Sequence, residues 1–95
     1  MTRTLTFKID GKRYVACVDD WTMEIKALKR NQAVEAFDDD GLGCWVIWFE
    51  LADNHQLEVR FKIEDGERTF KQVGAVEFDE DGIIIEDYDV EMKIK

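Results

Sequence analysis

Alternating segments joined by Asp-Gly dipeptides constrain the fold of this chain more than any other feature. Apolar and polar residues alternate in residues 4–9 and again in residues 12–18, and Asp10-Gly11 joins the two segments. An Asp-Gly turn between alternating segments indicates a β-hairpin, because both residues tolerate the positive φ of a tight turn. An aspartate also precedes three later glycines, Gly41, Gly66 and Gly82. The chain is therefore predicted to consist mainly of antiparallel hairpins.

Further alternating or apolar segments predict the remaining strands. They cover residues 33–37, 44–51, 57–63, 69–78 and 83–94. We expect an α+β, β-dominated fold, in which an antiparallel meander of about six or seven strands forms a bent sheet or a half-open barrel. The chain has no proline, no serine and no linker-like stretch, so residues 1–95 are predicted to form a single domain.

The segment near residues 20–31 has two interpretations. Trp21, Ile25 and Leu28 have the spacing of a helical stripe, while Asp19 and Asp20 stand where a helix N-cap belongs. Apolar residues also alternate with polar ones from 21 to 27, as they would in a strand. The capping pattern favours one short helix near 20–31, with a strand as the alternative.

Residues 44–51 are apolar on both faces of the predicted strand. Trp45 and Trp48 must point to opposite sides, because successive side chains alternate along a strand. One side is expected to be core, and we expect the helix to cover the other. Without a helix there, the exposed side would be an aromatic protein-binding patch.

Charge narrows the choice of partners. The net charge is −9: residues 1–35 hold seven bases and five acids, whereas residues 36–95 hold six bases and seventeen acids. Such a chain should be repelled by nucleic-acid phosphates and by anionic membranes, and attracted to basic proteins. The alternative is that acidity only keeps a small domain soluble. With no signal peptide and no apolar run longer than residues 44–49, we expect a cytoplasmic protein with free thiols.

The sequence offers no convincing catalytic or metal site. Cys17 and Cys44 lie in apolar strands, and the one histidine, His55, lies in a polar turn where a solvated role is expected. Residues 77–84 partly resemble a calcium-binding EF-hand loop, but Tyr88 stands where the loop needs a bidentate glutamate. We therefore predict that the protein is not an enzyme and uses no metal or other cofactor.

Clustered carboxylates provide the candidate partner-binding site. On the last predicted strand, Asp87, Asp89 and Glu91 share one face, spaced ~6.7 Å apart. Two acidic turns complete the predicted site, which consists of Asp38, Asp39, Asp40, Asp79, Glu80, Asp81, Asp87, Asp89 and Glu91. Such a row could imitate alternate phosphates of a nucleic-acid strand, which repeat every ~3.4 Å. The alternative is a solvated edge strand whose charge prevents aggregation.

These observations favour a non-enzymatic, acidic binding or inhibitor protein that docks on a basic protein surface. We expect the partner to be a nucleic-acid-binding protein whose basic groove the carboxylates would occupy. In size and acidity the chain resembles the small inhibitors that phages direct against host defence enzymes, a resemblance of composition only that carries no residue over. The alternatives are a small-molecule-binding barrel-like domain with Trp45 or Trp48 at its mouth, and an oligomeric assembly protein, which includes a homodimer.

Overall fold

The computed structural model describes residues 2–19, 22, 24–26, 31–38, 44–64 and 69–94, and most of them lie in strands. A single turn of 3-10 helix, Ala52–Asn54, separates the fourth and fifth strands. The described residues form eight strands: β1 Thr2–Ile9, β2 Lys12–Asp19, β3 Ala33–Asp38, β4 Cys44–Glu50, β5 Gln56–Glu64, β6 Thr69–Phe78, β7 Ile84–Tyr88 and β8 Val90–Ile94.

The strands form two antiparallel sheets. The three-stranded sheet has the order β2-β1-β8, and the five-stranded sheet has the order β3-β4-β5-β6-β7. The predicted first hairpin is confirmed: β1 and β2 pair along their whole length, and Asp10 and Gly11 adopt φ values of 51° and 75° in the turn. These left-handed conformations explain why the turn uses aspartate and glycine.

One hydrophobic core lies between the two sheets. Three ring contacts join them: Phe7 of β1 lies 6.0 Å from Phe49 and 5.9 Å from Phe61, and Tyr14 of β2 lies 5.4 Å from Phe49, measured between ring centroids. The buried residues of the core are Leu5, Phe7, Ile9, Ala16, Val18, Ala33, Ile47, Phe49, Leu57, Val59, Phe61 and Ala75. The side of each sheet that carries these residues is called its inner face below.

The expectation of a single meander of six or seven strands was wrong in its topology. The strand predicted over residues 83–94 divides at Asp89, and its second half leaves the five-stranded sheet to pair with β1. Tyr88 and Val90 both pack against the core, although they belong to different sheets. The alternation therefore continues across the break, which is why the sequence does not reveal it. Neither strand order closes into a barrel within the described ranges.

The predicted helix near 20–31 was also wrong at every residue of that segment that the structure describes. Thr22 lies in a turn that the Asp19 side chain caps at 3.0 Å, and Ile25 forms an isolated bridge with Val18. Backbone hydrogen bonds run from Lys26 N to Cys17 O and from Gln32 N to Val15 O, both 2.9 Å long. The described residues of the segment thus bond to the open edge of β2. Within the described residues, no helix is long and apolar enough to span a membrane.

Candidate functional site

The outer face of the five-stranded sheet is unusually apolar. Register places Trp48, Val76 and Phe78 on the side opposite the core, and the rings of Trp48 and Phe78 lie 5.4 Å apart. Since no described residue of the 20–31 segment is helical, the helix that was expected to cover this side is not seen there. We call this surface the apolar face; its residues are Phe37, Val46, Trp48, Val76, Phe78, Ile84 and Ile85.

A β-bulge extends the apolar face to the edge of the sheet. The register shift between Glu77 and Phe78 makes two residues of β7, Ile84 and Ile85, face the single residue Phe78. Their exposed fractions are 60% and 45%, and the adjacent Ile83 is 60% exposed. Three consecutive exposed isoleucines on an edge strand favour aggregation unless they serve a contact.

One ion pair lies within the apolar face. Glu58 faces Trp48 across the β4–β5 pair and is only 8% exposed. The Arg60 guanidinium donates a hydrogen bond of 2.5 Å to Glu58 Oε1, from the next outward position on β5. A largely buried carboxylate is costly unless it is paired, so Arg60 allows Glu58 to lie among aromatic side chains.

Part of the predicted carboxylate site borders the apolar face. Asp79, Glu80 and Asp81 form the turn between β6 and β7, next to the exposed isoleucines. Asp79 has a structural role, because its Oδ1 accepts the backbone N–H groups of Asp81 and Ile83, each at 2.9 Å. Glu80 and Asp81 are exposed and available for contact.

The structure divides the predicted row of three carboxylates. Asp87 lies on the outer side of the five-stranded sheet opposite Val76, whereas Glu91 lies on the three-stranded sheet opposite Lys8. Asp89 lies between β7 and β8 and belongs to neither. All three are exposed, but they do not form one row on one strand.

The predicted turn at residues 38–40 is only partly described. The backbone of Asp38 ends β3, and Asp39 and Asp40 lie outside the described residues. Whether these three carboxylates join the others therefore stays a prediction.

The outer face of the three-stranded sheet has the opposite character. Lys8 and Arg13 are directly opposite each other on β1 and β2, and Thr6 is opposite Lys93. In the described part of the chain, no ion pair links these cations to Glu91, although Glu91 flanks Lys8 on its other side. We call this surface the polar face; its residues are Thr4, Thr6, Lys8, Arg13, Glu91 and Lys93, and the same side of β2 also carries Val15 and the buried Cys17.

A third feature is a polar cluster at one end of the core, where β5, β6 and β7 meet. His55 Nδ1 donates to Glu77 Oε2 at 2.6 Å, and the Tyr88 hydroxyl donates to Glu77 Oε1 at 2.8 Å. The hydrogen bond with Glu77 raises the pKa of His55, and the hydrogen bonds from His55 and Tyr88 lower the pKa of Glu77. The pKa of Tyr88 rises to about 12, chiefly because its proton is shared with that carboxylate.

Sequence reasoning missed this cluster. His55 was expected to be solvated, yet it is only partly exposed and bound to Glu77. Residues 55 and 77 become neighbours because Leu57 pairs with Glu77 in the β5–β6 register. The sequence contained no local signal for that pairing; only the correct long-range register identifies it.

The cluster borders a cleft of about 320 Å³ at the end of the core. Ile9, Leu51 and Leu57 provide its apolar lining, and the remaining described lining residues are Asp10, Lys12, Tyr14, Ala52, Asp53, His55, Glu77 and Tyr88. Neither Trp45 nor Trp48 lines it, in contrast to the small-molecule site considered from the sequence.

Comparison with protein-family models, with curated proteins and with solved structures finds no match for this chain.

Proposed function

We propose that this chain is a non-enzymatic binding protein that docks on a basic protein through the apolar face. The observation that carries the proposal is that face, which extends from Trp48 through Phe78 to the exposed isoleucines of β7. Exposed apolar patches bordered by polar residues are typical of protein–protein interaction sites. Aromatic residues such as Trp48 are also enriched where partners bury surface.

The acidic side chains around the apolar face support a basic partner, and they outnumber Arg60 and Lys62, which β5 places on the same side. Glu35 lies opposite Trp48, Glu50 follows it along β4, and Asp87 lies opposite Val76; all three side chains are exposed. Glu80 and Asp81 add two carboxylates at the hairpin turn. Such a border would attract a positively charged surface. The attraction would accelerate encounter with the partner and would weaken as the salt concentration rises.

The same charges argue against a second copy as the occupant. In a symmetric homodimer the same patch occurs on both subunits, so the acidic border of one copy would face that of the other. Like charges brought together at an interface oppose association. A different protein with basic residues around an apolar surface is the better complement, and a homodimer becomes an outcome of the test.

Nucleic-acid mimicry is not part of this proposal. Imitation of nucleic-acid phosphates needs an uninterrupted row of carboxylates. The residues predicted to form that row lie on two sheets, and Glu91 is opposite Lys8. The acidic residues act instead as the border of an apolar contact.

Affinity capture of partners from a cell lysate, followed by mass spectrometry, tests the proposal with two variants. Ile84→Ser/Ile85→Ser removes apolar surface at exposed positions, and Lys8→Gln is the matched control on the polar face. We expect the unmodified chain and Lys8→Gln to retain the same basic protein, in amounts that fall as salt rises, and the isoleucine variant to lose it.

Three results would contradict the proposal. The captured protein could survive the isoleucine substitutions, it could be lost with Lys8→Gln instead, or no specific protein could be retained. Sedimentation equilibrium of the purified chain gives the remaining decision, because a stable dimer that Ile84→Ser/Ile85→Ser dissociates would assign the apolar face to self-association.

A further inference from the structure

The cleft at the end of the core has features of a ligand site that protein docking does not use. It lies between the two sheets, with Ile9 from β1 and Leu57 from β5 in its lining, both almost fully buried. Binding sites for small molecules are typically concave and mainly apolar, with a few convergent polar groups. The apolar face, by contrast, is on the outer side of the five-stranded sheet.

Two turns with left-handed backbone form part of the cleft lining. Asp10 and Asp53 both line it, with φ values of 51° and 60°, and the adjacent Asn54 has a φ of 62°. These are all the non-glycine residues with positive φ in the described part of the chain. Aspartate and asparagine adopt this conformation readily in tight turns, so the two turns give this side of the cleft a defined backbone.

Several polar groups of the cleft have unused hydrogen-bonding capacity. The ring of Tyr14 packs against Phe49, but no described residue hydrogen-bonds its hydroxyl group. Glu77 uses one bond on each carboxylate oxygen, and each oxygen can accept another. Tyr88 donates its proton to Glu77, so its oxygen remains an acceptor. The open positions around the apolar lining are therefore mainly acceptors.

The charges that line the cleft indicate which charge a ligand should carry. Asp10, Asp53 and Glu77 provide three carboxylates, against Lys12 and the His55 imidazole, which is hydrogen-bonded to Glu77. Burial and then the charges of Glu77 and Asp10 raise the pKa of Tyr14, as a negative local potential does. A cation is thus favoured over an anion in this cleft, and Lys12 is the residue that opposes it.

We propose that this cleft binds a small organic cation, consisting of an ammonium or guanidinium group on a short apolar body. The apolar body would contact Ile9, Leu51 and Leu57, and the cation would approach the Glu77 carboxylate and the hydroxyl oxygens of Tyr14 and Tyr88. Tyrosine rings also attract cations through their faces.

Nuclear magnetic resonance titration of the full chain with three probes of similar size tests this assignment. The probes are n-butylammonium, n-butanol and butyrate, which differ mainly in charge. We expect n-butylammonium to shift the backbone signals of Asp10, Leu51 and His55 saturably, n-butanol to bind more weakly and butyrate to bind most weakly. A preference for butyrate, or the absence of saturable shifts at these residues with every probe, would overturn the proposal.

Conservative charge variants provide a second test, because their predicted effects on binding differ in direction and loss of folding cannot produce both. Asp10→Asn removes a carboxylate but keeps a residue that tolerates positive φ, and should weaken n-butylammonium binding about two- to fivefold. Lys12→Gln should strengthen binding by a similar factor, and Asp81→Asn, an exposed turn residue outside the cleft, should leave it unchanged. Stronger n-butylammonium binding by Asp10→Asn together with weaker binding by Lys12→Gln would contradict a cation site. An effect of Asp81→Asn as large as that of Asp10→Asn would also contradict it.

Discussion

The outer faces of the two sheets differ, although their inner faces share one core. On the three-stranded sheet the polar face carries threonines and cations, as expected for a surface in contact with water. On the five-stranded sheet the apolar face carries Trp48, Phe78 and exposed isoleucines. Folding alone requires one apolar face per sheet, so the second apolar face needs another explanation.

The two faces also differ in how charge is handled. Lys8 and Arg13 are opposite each other without a described ion pair, which costs little because water screens them. Within the apolar face, Glu58 is nearly buried and is paired with Arg60. Charge is therefore partly buried and paired on the apolar face, and exposed on the polar face.

The largest expected effect concerns the core, which lies between the two sheets beneath both outer faces. Phe49→Ala should lower the free energy of unfolding by about 3–5 kcal/mol, because its ring is buried against Phe7 and Tyr14. Chemical denaturation followed by tryptophan fluorescence measures this change. Phe37→Ala is the control. Phe37 lies at the edge of the apolar face and is 37% exposed, so its replacement should lower the free energy of unfolding much less. Equal losses would mean that the apolar face is a second core.

A dye-binding measurement distinguishes the two outer faces directly. Nile red, a neutral apolar dye, should fluoresce more strongly with the unmodified chain than with Ile84→Ser/Ile85→Ser, because the variant removes exposed apolar surface. Lys8→Gln on the polar face should leave the signal unchanged. Fluorescence that is insensitive to the isoleucine substitutions would show that the apolar face is not accessible.

The His55–Glu77 pair predicts a pH-dependent stability. The raised pKa of His55 gives a stabilising contribution that is complete below about 6.5 and lost as pH rises through the folded-state value. The lowered pKa of Glu77 gives one that is present above about 4.5 and lost as pH falls through its folded-state value. His55→Gln should therefore reduce stability more at about pH 5.5 than at about pH 9, which urea denaturation at the two pH values measures. A deficit independent of pH would contradict the pair, and Lys8→Gln serves as the control.

The smallest expected effect sharpens the description of the polar face. Arg13→Glu replaces a like-charge pair with an opposite-charge pair across β1 and β2, which should stabilise the fold by about 0.2–1 kcal/mol. Arg13→Gln should give roughly half of that gain, since it removes repulsion only. A destabilising effect of Arg13→Glu in thermal unfolding at low salt would contradict repulsion between Lys8 and Arg13.

Features set by local chemistry were predictable from the sequence. The Asp10-Gly11 hairpin was predicted because alternation and turn residues act over a few positions, and the inward direction of Tyr88 and Val90 followed from alternation alone. The division at Asp89 was not predictable, because a strand can change sheets at a bend without changing its pattern.

Features that depend on long-range pairing were not predicted, or were predicted as a different structure. Residues 20–31 had the capping signals of a helix, but the unpaired edge of β2 supplied better partners for Ile25 and Lys26. The His55–Glu77 contact required the β5–β6 register, and the cleft required two turns that are distant in sequence. The two-sided apolar pattern around Trp48 was visible, and only the covering helix was wrongly assigned.

Methyl nuclear magnetic resonance of the chain with the captured protein tests whether the basic partner contacts the apolar face and not the polar face. The methyl signals of Val76, Ile84 and Ile85 should shift or broaden, while those of Thr4 and Thr6 remain in place. Perturbation confined to Thr4 and Thr6 would contradict the claim.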